Sequence, residues 1–354
     1  MALAHAIPKV HLHCHLEGSL RGATFVELAD KHGVSLRYHP GREPGTFADE
    51  PSEPADRADP YRFRDFQEFL LAFAAASRAL AEPDDYARLA REFVEDALAQ
   101  NVIYGELFVS PSVWTFFNGS LDVRAAFAAI VAELRAVRPR AEFKLIVDLT
   151  RNFGDVGAMR TAKLAATLTD LDVIGIGLGG DEVRFPPRSF AQAFAYARAA
   201  GLHTVAHAGE AAGPESVRDA VEHLGAERIG HGIAALRDPS VVELLAGNRI
   251  PLEICPTSNE ITGIAAPNGH AFAEFDRAGC IVTIDADDPA MFRTSIEAEY
   301  AIVERVAGAD TLVRFVRNAI DASFAEPQHK QAMQAHLATE LDAVRRSETH
   351  HVGP

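Results

Sequence analysis

From Phe143 onward, short apolar and β-branched runs alternate with stretches whose apolar positions recur near the helical period. The runs are Phe143–Thr150, Val173–Gly180, His203–Glu210, Arg228–Gly232, Pro251–Pro256 and Ile281–Asp288. Between them, Phe190–Ala200, Glu215–Leu224, Val241–Gly247 and His270–Gly279 predict helices. Gly201, Gly225 and Gly279 stand where helix C-termini favour a left-handed residue. Lys9–His15 and Val102–Val109 bring the strand count to eight. Eight strands, mostly followed by helices, predict an α/β fold of the (β/α)8 TIM-barrel type. A doubly wound open sheet gives no reason for eight.

The long gap between His15 and Val102 breaks the alternation and predicts a helical insertion after strand 1, at about residues 20–100. It holds a Pro- and acid-rich stretch, Pro40–Pro60, expected to be mobile surface. Two helical segments follow, Phe63–Leu80 and Asp84–Gln100. The first carries Phe63, Phe66, Phe69, Leu70 and Phe73 on one face, which is expected to pack on the barrel. Helices at about 305–345 follow the last strand. The whole chain, 1–354, is expected to be one barrel domain, with no internal repeat.

The 354 residues carry a formal net charge of −16, with no basic cluster to interrupt the acidity. Nucleic acid and anionic membrane are therefore poor partners. Apolar runs such as Val173–Leu178 fall far short of the roughly 20 residues a bilayer helix needs. Met1–Val10 lacks the features of a signal peptide. Cys14, Cys255 and Cys280 are too scattered for a disulfide framework or a zinc knuckle. A reduced, cytoplasmic setting is the expectation.

Barrel enzymes build their sites at the C-terminal ends of the strands. Here four of the eight ends carry His or carboxylate: His11-Leu-His13-Cys-His15-Leu-Glu17, His207-Ala-Gly-Glu210, Gly230-His231, and Asp285-Ala-Asp287-Asp288. Alternation would place His11, His13 and His15 on one strand face. With His207 and a carboxylate from strand eight, neutral nitrogens and one oxygen converge, a donor set suited to Zn²⁺, with Fe²⁺, Mn²⁺ or Co²⁺ as lesser options. No Lys ends strand four, which reads Gly177-Leu-Gly-Gly180-Asp181-Glu182, so one metal is expected rather than two. Gly179-Gly180 could offer backbone N–H to a ring nitrogen. Glu210 could donate a proton from a desolvated carboxyl, and His231 could steer or deprotonate a water. Asp288 is free to hydrogen-bond substrate. For any one of these residues a structural salt bridge is an alternative.

These residues resemble the adenosine deaminase family of metal-dependent hydrolases. The blocks that carry the resemblance are KVHLHCHLEGSL (Lys9–Leu20), GLGGDE (Gly177–Glu182), HTVAHAGEAAGPE (His203–Glu215), ERIGHG (Glu227–Gly232), LEICPTSNEITG (Leu252–Gly263) and DADDPAMFRTSIEAEY (Asp285–Tyr300). The resemblance implies a zinc-dependent hydrolytic deaminase that converts adenosine to inosine and ammonia. It implies His13, His15, His207 and Asp287 as the ligands of a single zinc ion. Glu210 would be the proton donor to purine N1, and His231 would activate the attacking hydroxide. Gly180 would meet N3 and Asp288 would meet N7. Phe66, Phe69, Leu70 and Phe73 would form a gate over the substrate.

Three positions depart from the family pattern. Glu17 stands where adenosine deaminases usually carry a ribose-binding Asp, and the longer Glu is common among adenine deaminases. Gly230 is nucleoside-like, because adenine enzymes tend to have Asp there. Asp285 replaces a usual Asn and adds a carboxylate near the metal. Adenine or 6-amino-6-deoxyfutalosine are therefore alternative substrates. A cyclic amidohydrolase or a non-catalytic purine-binding protein is further off. The expected partner is a small purine nucleoside or base.

Overall fold

Eight parallel strands run in chain order around a ring: β1 (Lys9–His15), β2 (Val102–Val109), β3 (Glu142–Thr150), β4 (Val173–Gly179), β5 (His203–Ala208), β6 (Arg228–His231), β7 (Leu252–Ile254) and β8 (Val282–Ile284). The computed structural model describes residues 3–37, 54–266 and 268–350. The ring closes just past β8, where Cys14 bridges Asp287. There the His15 amide donates to Asp287 O at 2.9 Å and the Asp287 amide donates to His13 O at 3.0 Å. The residue that closes the barrel is therefore also a site residue.

Parallel neighbours require crossovers, and helices supply them: Val123–Ala136 after β2, Gly154–Ala166 after β3, Ala191–Ala199 after β4 and Pro239–Gly247 after β6. Gly201, Gly225 and Gly279 have φ of +84°, +62° and +81°, as the pattern predicts for helix ends. The chain ends in helices Ile296–Ala307, Ala309–Ala322 and Pro327–His350. Among the described residues no helix is long and apolar enough to cross a membrane. The three cysteines are buried and free.

Three expectations need correction. The later strands are shorter than the apolar runs, because β5 stops before Gly209 (φ +69°) and β8 stops before Asp287 (φ +61°). His11 does not join His13 and His15: the β1–β2 register shifts between His11 and Cys14. Its Nε2 instead accepts from the Ala286 amide at 3.1 Å. The helix expected at Phe63–Leu80 begins at Phe66 rather than Phe63, since Asp65 caps it by accepting from the Glu68 amide at 2.9 Å. Phe63 packs against Phe69 and Phe292 from outside the helix. Most of Pro40–Pro60, predicted as mobile surface, lies outside the described residues, but Pro54–Ala58 is a short helix.

The barrel interior contains charge. Arg228, 1% exposed, donates to Glu106 Oε2 at 2.6 Å and also to Glu253, both fully buried. Its guanidinium lies 3.9 Å from the centre of the Phe324 ring. A buried cation is tolerable because it is paired twice and stacked. Glu253 passes this order on to the site above.

Candidate active site

At the C-terminal mouth, four strands or their extensions bring five side chains to one point. His13 and His15 come from β1, His207 from β5, His231 from β6, and Asp287 from the segment after β8. His15 Nε2 and His207 Nε2 are 3.0 Å apart. Asp287 Oδ1 lies 3.5 Å from both His13 Nε2 and His15 Nε2. These spacings are wide for hydrogen bonds between the carboxylate and the rings, but they suit donors arranged around a common cation. His231 Nε2 stands 3.9 Å from Asp287 Oδ2 and 3.6 Å from Glu210 Oε1. Gly230 makes room for the cluster, because a Cβ there would fall 2.6 Å from His13 Cε1.

The donor atoms are poised for a cation. His13 Nδ1 faces Glu253 Oε2 at 2.7 Å, which leaves its Nε2 buried with no hydrogen-bond partner. Burial opposes charge on His13, yet Asp287 and Glu253 outweigh it and push the ring up to about 10. Burial keeps His15 and His207 on the neutral side of the usual imidazole range, with their lone pairs available. Burial would raise Asp287, but His13 facing it and the other surrounding imidazoles hold it well below the usual carboxylate range. Ser258 Oγ donates to Asp287 Oδ2 at 2.7 Å and fixes the carboxylate. Two His, a third His and an ionised carboxylate fit a zinc-type ion by ligand chemistry.

The remaining residues surround this cluster. Glu210 is 8% exposed; burial, with Asp287 and Glu182 nearby, pushes its carboxyl well above the usual range. Glu182 gathers the amides of Gly209, Glu210, Ala211 and Ala212, so the turn that carries Glu210 is fixed from below. Arg151 braces β5 by donating to His207 O at 2.6 Å. His231 Nδ1 faces Asn259 Oδ1 at 2.8 Å; the amide oxygen only accepts, so Nδ1 carries the proton and Nε2 is an acceptor. Burial and Asp287 raise Asp288 well above the usual range. Asp285 is not part of the cluster. Its Oδ1 accepts from the Leu12 and His13 amides and its Oδ2 from Thr283. It ties β8 to β1.

A cavity of about 390 Å³ opens onto the cluster. His15, His207, Glu210, Asp287, Asp288 and Gly180 line it, and Phe66, Phe69, Leu70 and Phe73 form an apolar wall. The same four side chains pack against the core, so packing and covering the cavity are compatible roles. Gly180, at φ +97°, has no space for a side chain, because a Cβ would fall 2.5 Å from Asn152 Oδ1. His13 and His231 stand behind the cavity wall. So does Glu17, fully buried, whose Oε1 accepts from Trp114 Nε1 at 2.6 Å and the Ser110 amide at 2.8 Å.

Sequence reasoning missed Glu253, Glu182, Asn259 and Asp148. Glu106, Asp148 and Glu253 shared one usable signal: each is the lone buried acid in an otherwise largely apolar strand. Glu253 yields a direct prediction. Glu253→Gln should weaken zinc binding by roughly 10- to 100-fold, since it removes the carboxylate that orients His13. Zinc titration against a competing chelator would measure it, and unchanged affinity would show that Glu253 serves only Arg228.

The adenosine deaminase family matches residues 8–340. The chain is 36% identical to an aminodeoxyfutalosine deaminase of Streptomyces avermitilis over 95% of its length and 90% of the relative's. It is also 36% identical to an adenine deaminase of Rhodospirillum rubrum, over 95% and 98%. A zinc-bound amidohydrolase structure from Burkholderia ambifaria superposes with a TM-score of 0.85 at 29% identity, covering 98% of this chain and 95% of that one. On the match across nearly its whole length, the chain belongs to the adenosine deaminase family, within the amidohydrolase superfamily.

Proposed function

We propose that this protein hydrolytically deaminates a 6-aminopurine nucleoside, with adenosine going to inosine and ammonia. The observation that carries the reading is the buried Glu210 carboxyl, pushed toward its acid form by burial and by Asp287, in a cavity shared with His15, His207 and Asp287. We propose His13, His15, His207 and Asp287 as ligands of one zinc ion. The chemistry a zinc ion supplies there is Lewis acidity, which makes a water acidic near neutral pH.

The chain's own groups do the rest. His231 Nε2, fixed as an acceptor by Asn259, takes the proton of the attacking water. Glu210 gives its proton to purine N1 as oxygen adds to C6. The C6–N bond then breaks and ammonia leaves with a proton returned through these groups. Asp288, protonated, donates to N7, and the Gly180 amide donates to N3. The helix Phe66–Ala79 covers the base, excluding bulk water from the reacting edge.

Cavity size supports a nucleoside, since a free base would leave much of 390 Å³ unfilled. Among the described residues no Lys or Arg lines the cavity, which disfavours a 5′-phosphate. Adenine is the second reading, because Glu17 is turned to Trp114 rather than toward the cavity and relatives act on the base. Turnover of adenosine, adenine and 6-amino-6-deoxyfutalosine at equal concentration tests this. Adenosine is expected to lead; preference for adenine by orders of magnitude would replace the nucleoside reading.

A further inference from the structure

Asp148 is a buried acid that the chemistry above leaves unused. It sits on β3, 4% exposed, and lines the cavity. Its Oδ1 has no hydrogen-bond partner. The adjoining strand is cleared for it. Gly177 is its direct partner across β3 and β4. A Cβ on Gly177 would fall 3.0 Å from Asp148 Oδ1, and a Cβ on Gly179 would fall 2.6 Å from Oδ2. Arg151, three residues on, offsets part of its charge but directs its hydrogen bonds to Phe185 O and His207 O rather than to the carboxylate. Buried polar atoms in native proteins are nearly always paired, so an incompletely paired carboxyl on a cavity wall points to a ligand.

Strand order says which part of the ligand. Glu210 follows β5 and Asp288 follows β8. If they hold N1 and N7, the purine's N9 edge faces the intervening arc of β1, β2 and β3, away from the reacting C6. On that arc Glu17 is turned to Trp114 and Ser110. Glu17 Oε2 and Asp148 Oδ1 are both buried without a partner, but Asp148 is the carboxyl of that arc that lines the cavity.

We propose that Asp148 binds the N9 substituent, its carboxyl hydrogen-bonding a sugar hydroxyl, and so selects nucleoside over free base. This rests on the 6-aminopurine reading. A site built to hydrogen-bond a hydroxyl discriminates strongly against ligands that lack it.

The test is steady-state turnover of adenosine, 9-methyladenine and adenine by the zinc-loaded full chain and by Asp148→Ala and Asp148→Asn. The wild type should prefer adenosine. Asp148→Ala should lower kcat/KM for adenosine roughly 10- to 100-fold, mainly through KM, and change 9-methyladenine by no more than about twofold. Asp148→Asn keeps the shape and one acceptor and should fall between. Zinc content and Tm should not drop, since the carboxyl makes no contact that holds the fold. Equal losses on adenosine and 9-methyladenine, no loss on adenosine, or a wild type that prefers adenine would each overturn the assignment. A wild type that deaminates none of the three would instead remove the 6-aminopurine reading, and this inference with it.

Discussion

Glu210→Gln is expected to keep its metal and its fold while losing roughly 100- to 10,000-fold in kcat, the range typical of a positioned general acid. The substitution preserves size and leaves the turn intact, because Glu182 holds residues 209–212 through their amides rather than through the Glu210 side chain. What changes is the proton: a carboxyl pushed above its usual range by burial can give one up, and an amide cannot. The acid form is required, so activity carried by Glu210 is present below its raised pKa and lost as pH rises through it. Zinc content measured alongside kcat separates the two outcomes. A fall in kcat at full zinc supports proton donation, and normal turnover would remove Glu210 from that role.

Asp287→Ala should do more, emptying the site of metal and abolishing turnover with it. The loss of zinc affinity should exceed the roughly 100-fold at the upper end for a supporting carboxylate such as Glu253. Asp287 is the carboxylate that faces the Nε2 atoms of both His13 and His15, at 3.5 Å from each. Asp285 cannot substitute, since both its oxygens are already held by β1 amides and Thr283. Asp287 also sits at φ +61° where the ring closes, so part of the effect of Ala could be on folding. Asp287→Asn separates the two, because Asn tolerates that conformation and keeps the Ser258 contact without the charge. Full zinc occupancy in both variants would move the ligand role elsewhere.

The sequence showed the strands that carry chemistry more clearly than the ones that support it. β1 and β2 matched the predicted runs residue for residue. The strand-end motifs His13–Glu17, His207–Glu210 and Asp285–Asp288 stood out because polar residues crowd where a core would be apolar. His11 misled because a register shift breaks the two-residue period, and no local signal marks that shift. Glu253 and Asp148 each gain their meaning from another strand, Glu253 from His13 on β1 and Asp148 from two glycines on β4. Such pairing is set by barrel closure, which one-dimensional periodicity does not record. Asp285, placed near the metal by its neighbours in sequence, is turned to the backbone of β1 by the same closure.

The most direct test is to incubate adenosine with zinc-loaded and with chelator-stripped protein, measuring ammonia and inosine together. One ammonia per inosine from the loaded protein, almost none from the stripped one, and recovery when one zinc ion per chain is restored is the predicted result. Adenine released without ammonia, or equal turnover with and without metal, would contradict a metal-dependent deaminase.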